Sequence, residues 1–213
     1  MAVLERPVVV QLDNDHIVQA GAILARAFHD DPMHCYVLSD NAARREKFPP
    51  FYRALVRLGL LQGKVWGASR ARDANPEAAA VAFLIPAEAF PRDVLERSGW
   101  SAIPDLLGAE AWSRFEVLGR AVEAETERVV ARPYWSLSAV GVEPTLRRRG
   151  LGRALVDRFV QQAGEDNLPA TLMTFENDNV PFYQRRGFAV VGQGSERTSG
   201  LPYWIFARGG STP

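Results

Sequence analysis

The sequence contains 213 residues, of which 47% are hydrophobic and 23% are charged, and its formal net charge at pH 7 is zero. This balance predicts a globular domain with a sizeable core, and the lack of a basic excess argues against a general nucleic-acid-binding protein. No apolar run approaches the roughly 20 residues that span a bilayer, and residues 1–15 lack the pattern of a signal peptide, so we expect no membrane partner. The single cysteine, Cys35, excludes an internal disulfide and favours a cytoplasmic location.

The first half of the chain alternates short strands with helices. Apolar residues at helical spacing predict a helix that starts near Ile17 and ends before Pro32. A second helical region is predicted to be interrupted at Pro49–Pro50, because proline lacks the amide hydrogen that an internal helix position uses. A hairpin loop over 70–77 is predicted to join two strands, the second of which stops at Pro86. The predicted elements are a strand over 6–12, helices over 17–28 and 41–61, and strands over 64–69 and 78–85.

The second half begins with a helical insert over about 90–130, whose last and longest piece covers 109–129. Gly187 is predicted to cap a short helix near the end of the chain. The remaining predicted elements are a strand over 134–142, a helix from 151 to about 162, a strand over 170–175, a helix over 180–186, strands over 188–192 and 203–207, and a frayed tail over 209–213. This order predicts one mixed α/β domain over residues 1–208.

The stretch after the strand over 134–142 has the features of a phosphate-binding loop. Gly150 and Gly152 lie at the start of a helix, where free N–H groups and the helix dipole favour an anion. A Walker loop would need a Gly-Lys-Ser/Thr run, which is absent, and a dinucleotide fingerprint would need a third glycine where Leu155 stands. The pattern that remains is Arg147-x-x-Gly150-x-Gly152, preceded by Val140-x-Val142-x-Pro144.

A second motif lies downstream, in Asn179-Val180-Pro181-Phe182-Tyr183 followed by Gly187-Phe188. Together the two motifs resemble the GNAT superfamily of N-acetyltransferases, in which a strand, a glycine loop and a helix bind acetyl-CoA. The helical insert, Asp31–Pro32, Gly63–Trp66 and Tyr134–Trp135 are similar to the puromycin N-acetyltransferase-like members. The resemblance implies a single-domain GNAT-like α/β fold with a mixed, mostly antiparallel sheet that is splayed at its central strands, and with helices on both faces.

The resemblance also implies roles for individual residues. The pantetheine arm of acetyl-CoA would pair with the strand at Val140 and Val142, where a backbone N–H would stabilise the oxyanion. Tyr183 would protonate the departing thiolate, and the alternative is a half-buried tyrosine that only packs. Asn179 would contact the cofactor, cap the short helix, or do both. The residues expected to bind the cofactor are Val140, Gly141, Val142, Arg147, Arg148, Arg149, Gly150, Leu151, Gly152, Arg153, Asn179 and Phe182.

The attacking amine must lose a proton, so a general base is expected. Glu176, beside the second motif, is the catalytic candidate. The alternatives are Glu116, Glu123, Glu143 and a water relay.

The segment His29–Cys35 contains two histidines, two aspartates and a cysteine, but Pro32 breaks any helix that would align them, so no metal is expected. This segment, together with Phe28, Tyr36 and the turn over Gly194–Leu201, is instead expected to shape the amine pocket. The aromatic residues of the insert are expected to lie in the core, namely Trp100, Trp112 and Phe115.

These features predict an enzyme that transfers an acetyl group from acetyl-CoA to an amine of a small molecule, by direct attack in a ternary complex and without an acyl-cysteine. One alternative is a non-catalytic CoA-binding sensor, which the complete Tyr183 motif argues against. A protein N-terminal or lysyl acetyltransferase is the other alternative. A serine hydrolase is disfavoured because no Gly-x-Ser-x-Gly elbow is present. The acceptor, the length of the acyl group and the choice between monomer and homodimer stay open.

Overall fold

A computed structural model of the chain describes residues 6–71, 75–85 and 90–209. Several sequence predictions lie wholly or partly outside these residues: the stop at Pro86, the tip of the hairpin loop at 72–74, and the frayed tail at 210–213. The first five residues of the predicted domain lie outside them as well.

The strands of the described residues form one mixed sheet in the order β1-β2-β3-β4-β5-β7-β6. They are β1 (Val8–Gln11), β2 (Gly63–Ser69), β3 (Ala78–Ile85), β4 (Tyr134–Val142), β5 (Ala170–Thr174), β6 (Ala189–Ser195) and β7 (Pro202–Arg208). Every neighbouring pair is antiparallel except β4 and β5, which are parallel and pair only at Trp135–Ala170 and Ser136–Thr171. Beyond Ser136 the two central strands separate. The predicted α/β fold, with a mostly antiparallel sheet splayed at its centre, is therefore confirmed.

The α-helices of the described part are α1 (Ile17–Ala27), α2 (Pro32–Val37), α3 (Asn41–Gln62), α4 (Arg92–Ser98), α5 (Ile103–Leu107), α6 (Ala109–Val129), α7 (Leu151–Glu165) and α8 (Val180–Gln184). Short 3₁₀ turns cover Asn14–His16, Trp100–Ala102, Pro144–Leu146 and Asn177–Asn179. Within these ranges we find no helix with both the length and the apolar character needed to cross a membrane.

The predicted interruption of the second helical region is wrong, because α3 runs unbroken through Pro49 and Pro50. The two missing amide hydrogens disfavour the helix at this point. Phe48, Phe51 and Tyr52 flank the prolines and are all buried in the core. Each buried side chain of this size contributes about 1.5–3 kcal/mol, which is enough to offset an internal proline.

The predicted end of the first helix before Pro32 is confirmed, but the sequence analysis missed that Pro32 begins α2. Proline fits the first turn of a helix, where its missing amide hydrogen has no intrahelical partner. Asp31 is the N-cap, and its Oδ1 accepts hydrogen bonds from the backbone N–H groups of Met33 and His34. Arg44 fixes both ends of this short helix by donating to the carbonyls of His29 and Leu38.

The core lies on both faces of the sheet, as the sequence predicts. On one face α1, α3 and the insert cover β2 and β3, with Leu24, Phe51 and Val81 among the buried residues. On the other face α7 and α8 cover the sheet, with Leu155 and Phe159 fully buried. The two layers fix the edges of the gap between β4 and β5.

Candidate functional site

A cleft of about 1420 Å³ opens where β4 and β5 separate. Its floor is the second half of β4 and the end of β5. One end is bounded by the loop that leads into α7, and the other by α1, α2 and the insert. The cleft therefore brings both sequence motifs to one place, together with the N-terminal helices.

The strand β4 has a β-bulge inside the cleft. Val81 pairs with Ala139 and Ala82 pairs with Leu137, so Ser138 is the extra residue. A bulged residue leaves the hydrogen-bond ladder and turns its backbone away from the neighbouring strand. Ser138 is exposed and lines the cleft, whereas the flanking Leu137 and Ala139 are buried. Sequence reasoning missed this position, because a bulge leaves no signal in the alternation of apolar residues along the strand.

Gly141 has a packing role that the sequence did not reveal. A Cβ atom at this position would lie 2.8 Å from the Cβ of Ala27 and 3.0 Å from Cδ2 of Leu24. Cβ atoms essentially never lie as close as 2.8 Å to such a neighbour. The glycine therefore allows α1 to pack directly on β4. The expected cofactor residues Val140 and Val142 are partly buried on the same strand and line the cleft.

The segment 144–150, here called the arginine loop, presents a row of free backbone donors. Among the described residues, no acceptor is bonded to the N–H groups of positions 148–153, and the first intrahelical bond of α7 is that of Ala154 to Gly150. Gly150 has a φ of +85° and Arg148 a φ of +65°, which turn these amides outward. Such a concave row of N–H groups at a helix N-terminus binds anions. The predicted residues Arg147, Arg148, Gly150, Leu151, Gly152 and Arg153 all line the cleft.

A smaller cavity of about 540 Å³ adjoins this end of the cleft. Its charged lining residues are Arg153, Asp157, Arg185, Arg186 and Arg208. Arg153 and Arg186 line both cavities, so positive charge extends from the arginine loop past the end of α8. The guanidinium of Arg186 lies 3.6 Å from the centre of the Phe182 ring, which orients both side chains.

Tyr183 lies in the wall of the cleft with only 7% of its surface exposed. Its ring packs against Phe182, Phe188 and Phe206, and its hydroxyl has no hydrogen-bond partner among the described residues. Burial raises the pKa of Tyr183 well above its ordinary value, Arg186 opposes the shift, and Glu176 adds to it. The hydroxyl is therefore protonated at neutral pH and is a donor without an acceptor in the described part of the chain.

Glu176 belongs to a small hydrogen-bonded group at the end of β5. The Nδ2 atom of Asn179 donates to Oε2 of Glu176 and to Oγ1 of Thr174, both at 3.0 Å. Asn179 occupies the N-cap position of α8 but its side chain makes no capping bond, so the predicted capping role is wrong. Burial, followed by the nearby carboxylate of Asp31, raises the pKa of Glu176. The Oε1 atom accepts no hydrogen bond from any described residue.

The other carboxylates considered as bases lie outside the cleft. Glu143 forms a bidentate ion pair with Arg26, at 2.8 Å between Nη2 and Oε2. Glu116 is paired with Arg120, and Glu123 lies 3.5 Å from a guanidinium nitrogen of Arg132. None of the three lines the cleft, whereas Glu176 does.

The far end of the cleft has aromatic walls, formed by Phe28, Phe51, Trp100 and Phe115. The expectation that the insert aromatics are purely core residues is therefore wrong for Trp100 and Phe115, which pack on the core and also face the cleft. They reach it because α4–α6 fold back over the N-terminal helices.

The turn predicted over Gly194–Leu201 begins later, because β6 continues to Ser195. The buried carboxylate of Glu196 accepts hydrogen bonds from the backbone N–H groups of Thr198 and Ser199 and shapes the turn. Leu201 then packs against a small cluster that includes Phe175 and Leu118, both of which line the cleft. In the described part of the chain, no three His, Cys, Asp or Glu side chains form a group able to hold a metal ion.

A sheet that opens between two parallel central strands, beside an anion-binding loop, is the architecture of GNAT N-acetyltransferases. Residues 108–188 match the model of the acetyltransferase (GNAT) family. This segment contains β4, the arginine loop, α7 and α8, so the match to the family covers the part of the chain that holds both sequence motifs. Enzymes of this family bind acetyl-CoA and an amine acceptor.

Solved structures of acetyltransferases are similar over nearly the whole chain. One, from Corynebacterium glutamicum, is "histone acetyltransferase HPA2 and related acetyltransferase", with a TM-score of 0.67 at 15% identity over 98% of both chains. The Drosophila melanogaster polyamine N-acetyltransferase, which forms N-acetylagmatine, has a TM-score of 0.62 at 17% identity, covering 95% of this chain and 99% of its own. An Escherichia coli ribosomal-protein alanine N-acetyltransferase has a TM-score of 0.51 at 14% identity, covering 95% of this chain and 93% of its own. At these identities the likeness shows the fold alone.

Proposed function

We propose that this enzyme transfers an acetyl group from acetyl-CoA to the amine of a small molecule, by direct attack in a ternary complex. The observation that carries the proposal is that one cleft combines a row of free backbone donors at one end with carboxylates and aromatic walls at the other. The anionic acetyl-CoA would bind at the backbone donors, and a cationic amine would bind at the carboxylates. The two ends of the cleft meet beside Tyr183.

The residues present fit acetyl-CoA, which supplies an acetyl group activated as a thioester. Its pyrophosphate suits the N–H groups of 148–153, with Arg147, Arg148, Arg149 and Arg153 compensating its charge. No strand of the described residues pairs with β4 on the β5 side beyond Ser136, so Val140 and Val142 offer backbone groups to an amide chain. Gly141, Gly150, Leu151, Gly152, Asn179 and Phe182 complete the proposed cofactor site.

Tyr183 is the proposed acid that protonates the thiolate. Its hydroxyl is protonated and donates to no acceptor among residues 6–71, 75–85 and 90–209, so its proton is available for this role. The nearby negative charges of Glu176 and Asp31 raise its pKa and so oppose proton release. A bound ammonium group would neutralise part of that charge, so we expect Tyr183 to become a stronger acid when the acceptor is bound.

Glu176 is the proposed base. Asn179 holds its Oε2, and the free Oε1 is available to accept a proton from the amine. A raised pKa moves a carboxylate towards the range in which proton transfer from an ammonium group is efficient.

The aromatic lining of the far end of the cleft favours a small acceptor with an apolar body over a protein. Trp100 and Phe115 from the insert, together with Phe28 and Phe51, supply this lining. The finer resemblance to puromycin N-acetyltransferase-like members, the cytoplasmic location and the acetyl donor rather than a longer acyl donor stay predictions.

The test is a panel of amines assayed for CoA thiol release with acetyl-CoA. It should contain 2-phenylethylamine, agmatine, puromycin and two peptides, one with a free N-terminal alanine and one with an internal lysine. We expect transfer to at least one small amine and none to the peptides. Transfer to the peptides alone would favour a protein acetyltransferase. Thermal stabilisation by CoA without transfer to any amine would favour the sensor alternative.

A further inference from the structure

A hydrogen-bonded chain of three side chains runs from the core to the acceptor end of the cleft. The hydroxyl of Tyr52 lies 2.7 Å from Nε2 of His34, and Nδ1 of His34 lies 3.1 Å from Oδ1 of Asp31. Tyr52 and His34 are buried, whereas Asp31 lines the cleft with 14% of its side chain exposed. The mechanism proposed above uses neither Tyr52 nor His34, and it uses Asp31 only through the effect of its charge on Tyr183.

The partners of the chain fix the direction of each hydrogen bond. Burial and the charge of Asp31 raise the pKa of Tyr52, so the phenol keeps its proton, and among the described residues only Nε2 of His34 accepts it. The Nδ1 atom must then carry the imidazole proton, which it donates to the Asp31 carboxylate. In this arrangement both nitrogens of His34 are hydrogen-bonded.

The chain leaves one oxygen of Asp31 free. Three donors hold Oδ1: the backbone N–H groups of Met33 and His34, and Nδ1 of His34. No described residue bonds to Oδ2. Asp31 lines the cleft, and its carboxylate is fixed through Oδ1. Its Oδ2 can therefore accept a hydrogen bond from a ligand in the cleft.

From this geometry we infer that Asp31 is a second catalytic carboxylate, which receives the proton of the acceptor ammonium, and that His34 and Tyr52 are its positioning residues. The inference rests on the proposed function. It assigns the acceptor to small molecules with a primary ammonium group attached to an apolar or aromatic body. Phe28 stacks on Tyr52 and also lines the cleft, so the wall beside Asp31 is apolar.

Two carboxylates account for the protons of the whole transfer. The ammonium gives one proton to Oδ2 of Asp31, which releases it to solvent. The amine nitrogen then bonds to the acetyl carbon while the carbon–sulfur bond breaks. The nitrogen loses its second proton to Oε1 of Glu176, and the thiolate gains one from Tyr183, which is reprotonated from Glu176. The net products are an amide, CoA thiol and one proton.

The electrostatic surroundings of Asp31 come from several elements. Glu176 at the end of β5 and Tyr183 on α8 interact with it across the cleft, and His34 and Tyr52 lie behind it. Arg147 and Asp178 act on Glu176 from the two sides of the cleft. Any change in the pH profile must therefore be compared between matched variants.

The first arm of the test compares Asp31→Asn with Asp30→Asn, using 2-phenylethylamine as the acceptor. Asparagine is as good an N-cap as aspartate, so α2 should form in both variants. We expect kcat of Asp31→Asn to fall about 10²-fold or more while the Kd for CoA is unchanged, and Asp30→Asn to behave as wild type. Wild-type kcat in Asp31→Asn would overturn the inference. If wild-type enzyme acetylates no amine of the panel, the proposed function itself fails.

The second arm examines the positioning residues without relying on turnover. In wild-type protein, the ¹⁵N NMR signals of His34 should show a ring protonated at Nδ1 with a hydrogen bond accepted at Nε2, and Tyr52→Phe should shift the Nε2 signal because its donor is removed. Tyr52→Phe should also lower kcat about tenfold and move the acidic limb of the kcat/KM profile to higher pH, because Nδ1–H is a weaker donor to Asp31 when Nε2 accepts no hydrogen bond. Tyr134→Phe, which removes the hydroxyl of another buried tyrosine, should do neither. A charged His34 or an Nε2-protonated ring in the wild type would contradict the inference whatever the activity.

Discussion

Arg26 at the end of α1 forms a bidentate ion pair with Glu143, the residue that follows β4. The pair connects the N-terminal helix to the start of the arginine loop. Arg147 strengthens the same connection by donating from Nη2 to the carbonyl of Ala27 at 2.9 Å. The loop that would bind the pyrophosphate is therefore braced by α1, whose last turns also pack on Gly141.

Glu143→Gln should loosen this brace with little effect on folding. A partly exposed ion pair contributes about 0.5–1 kcal/mol, so the Kd for CoA should rise about two- to fivefold while Tm changes little. Isothermal titration calorimetry with CoA measures the effect. Glu96→Gln, which breaks an exposed pair with Arg92 on α4, is the control and should leave the Kd unchanged. An equal loss of affinity in both variants would mean that charge, and not the brace, is responsible.

Gly150→Ala tests the conformation of the arginine loop. At a φ of +85°, an alanine costs about 1–2 kcal/mol, although the space around its Cβ is open except for Pro7 at 3.7 Å. Gly99→Ala is a matched control, because Gly99 has a φ of +79°, and its Cβ would also meet nothing closer than 3.9 Å. Both variants should lose about 2–8 °C in Tm.

Only Gly150→Ala should weaken CoA binding, about tenfold, because the strain turns the N–H groups away from the pyrophosphate. That factor corresponds to about 1.4 kcal/mol of binding free energy. Retained affinity in Gly150→Ala despite a lower Tm would contradict the role of the loop.

The sequence predicts the elements that depend on local pattern. The helix α6 and the strand β4 have the predicted bounds, because their apolar spacing and flanking Gly or Pro residues are local signals. The continuity of α3 could not be predicted, since it depends on the burial of Phe48, Phe51 and Tyr52 against other elements.

The candidate site divides in the same way. The cofactor motif and the motif that contains Tyr183 are each one continuous segment of the sequence. Glu176 and Asn179 are only three residues apart, so their proximity could be predicted from the sequence. Tyr52 and His34 are 18 residues apart on different helices, and their hydrogen bond exists only because α2 folds against α3. The bulge at Ser138 likewise depends on the pairing of β3 with β4.

Tyr183→Phe should lower kcat about 10²-fold or more and leave the fold intact, because the hydroxyl has no protein partner to lose. Thermal unfolding and thiol-release assays measure the two effects. The Kd for CoA should stay close to the wild-type value. A variant that keeps wild-type kcat with a good acceptor would show that another group, or water, protonates the thiolate. Tyr134→Phe is again the matched control.

Glu176 should make the protein less stable as the pH rises. Its pKa is raised in the folded state, so between the unfolded value, near 4.5, and the folded value the native protein binds more protons than the unfolded chain. The free energy of unfolding therefore falls as the pH increases through that window. Glu176→Gln keeps an oxygen for Asn179 and removes this dependence.

The measurement for Glu176 is the difference in Tm between variant and wild type across that window. The difference should increase with pH in favour of Glu176→Gln. Comparison with the wild type is needed because Glu77 and Glu196, whose pKa values are lowered, act in the opposite direction. A difference that shrinks with rising pH would mean that the folded protein stabilises the charged form of Glu176 and does not disfavour it.

In the proposed mechanism, acetyl-CoA and a small amine meet in one cleft and react directly. The decisive measurement is the initial rate of thiol release while both acetyl-CoA and the best amine of the panel are varied. Direct attack predicts intersecting double-reciprocal lines, an acetylated amine as the product, and no thiol release when the amine is omitted. Parallel lines, together with stoichiometric thiol release and an acetylated protein in the absence of amine, would contradict it.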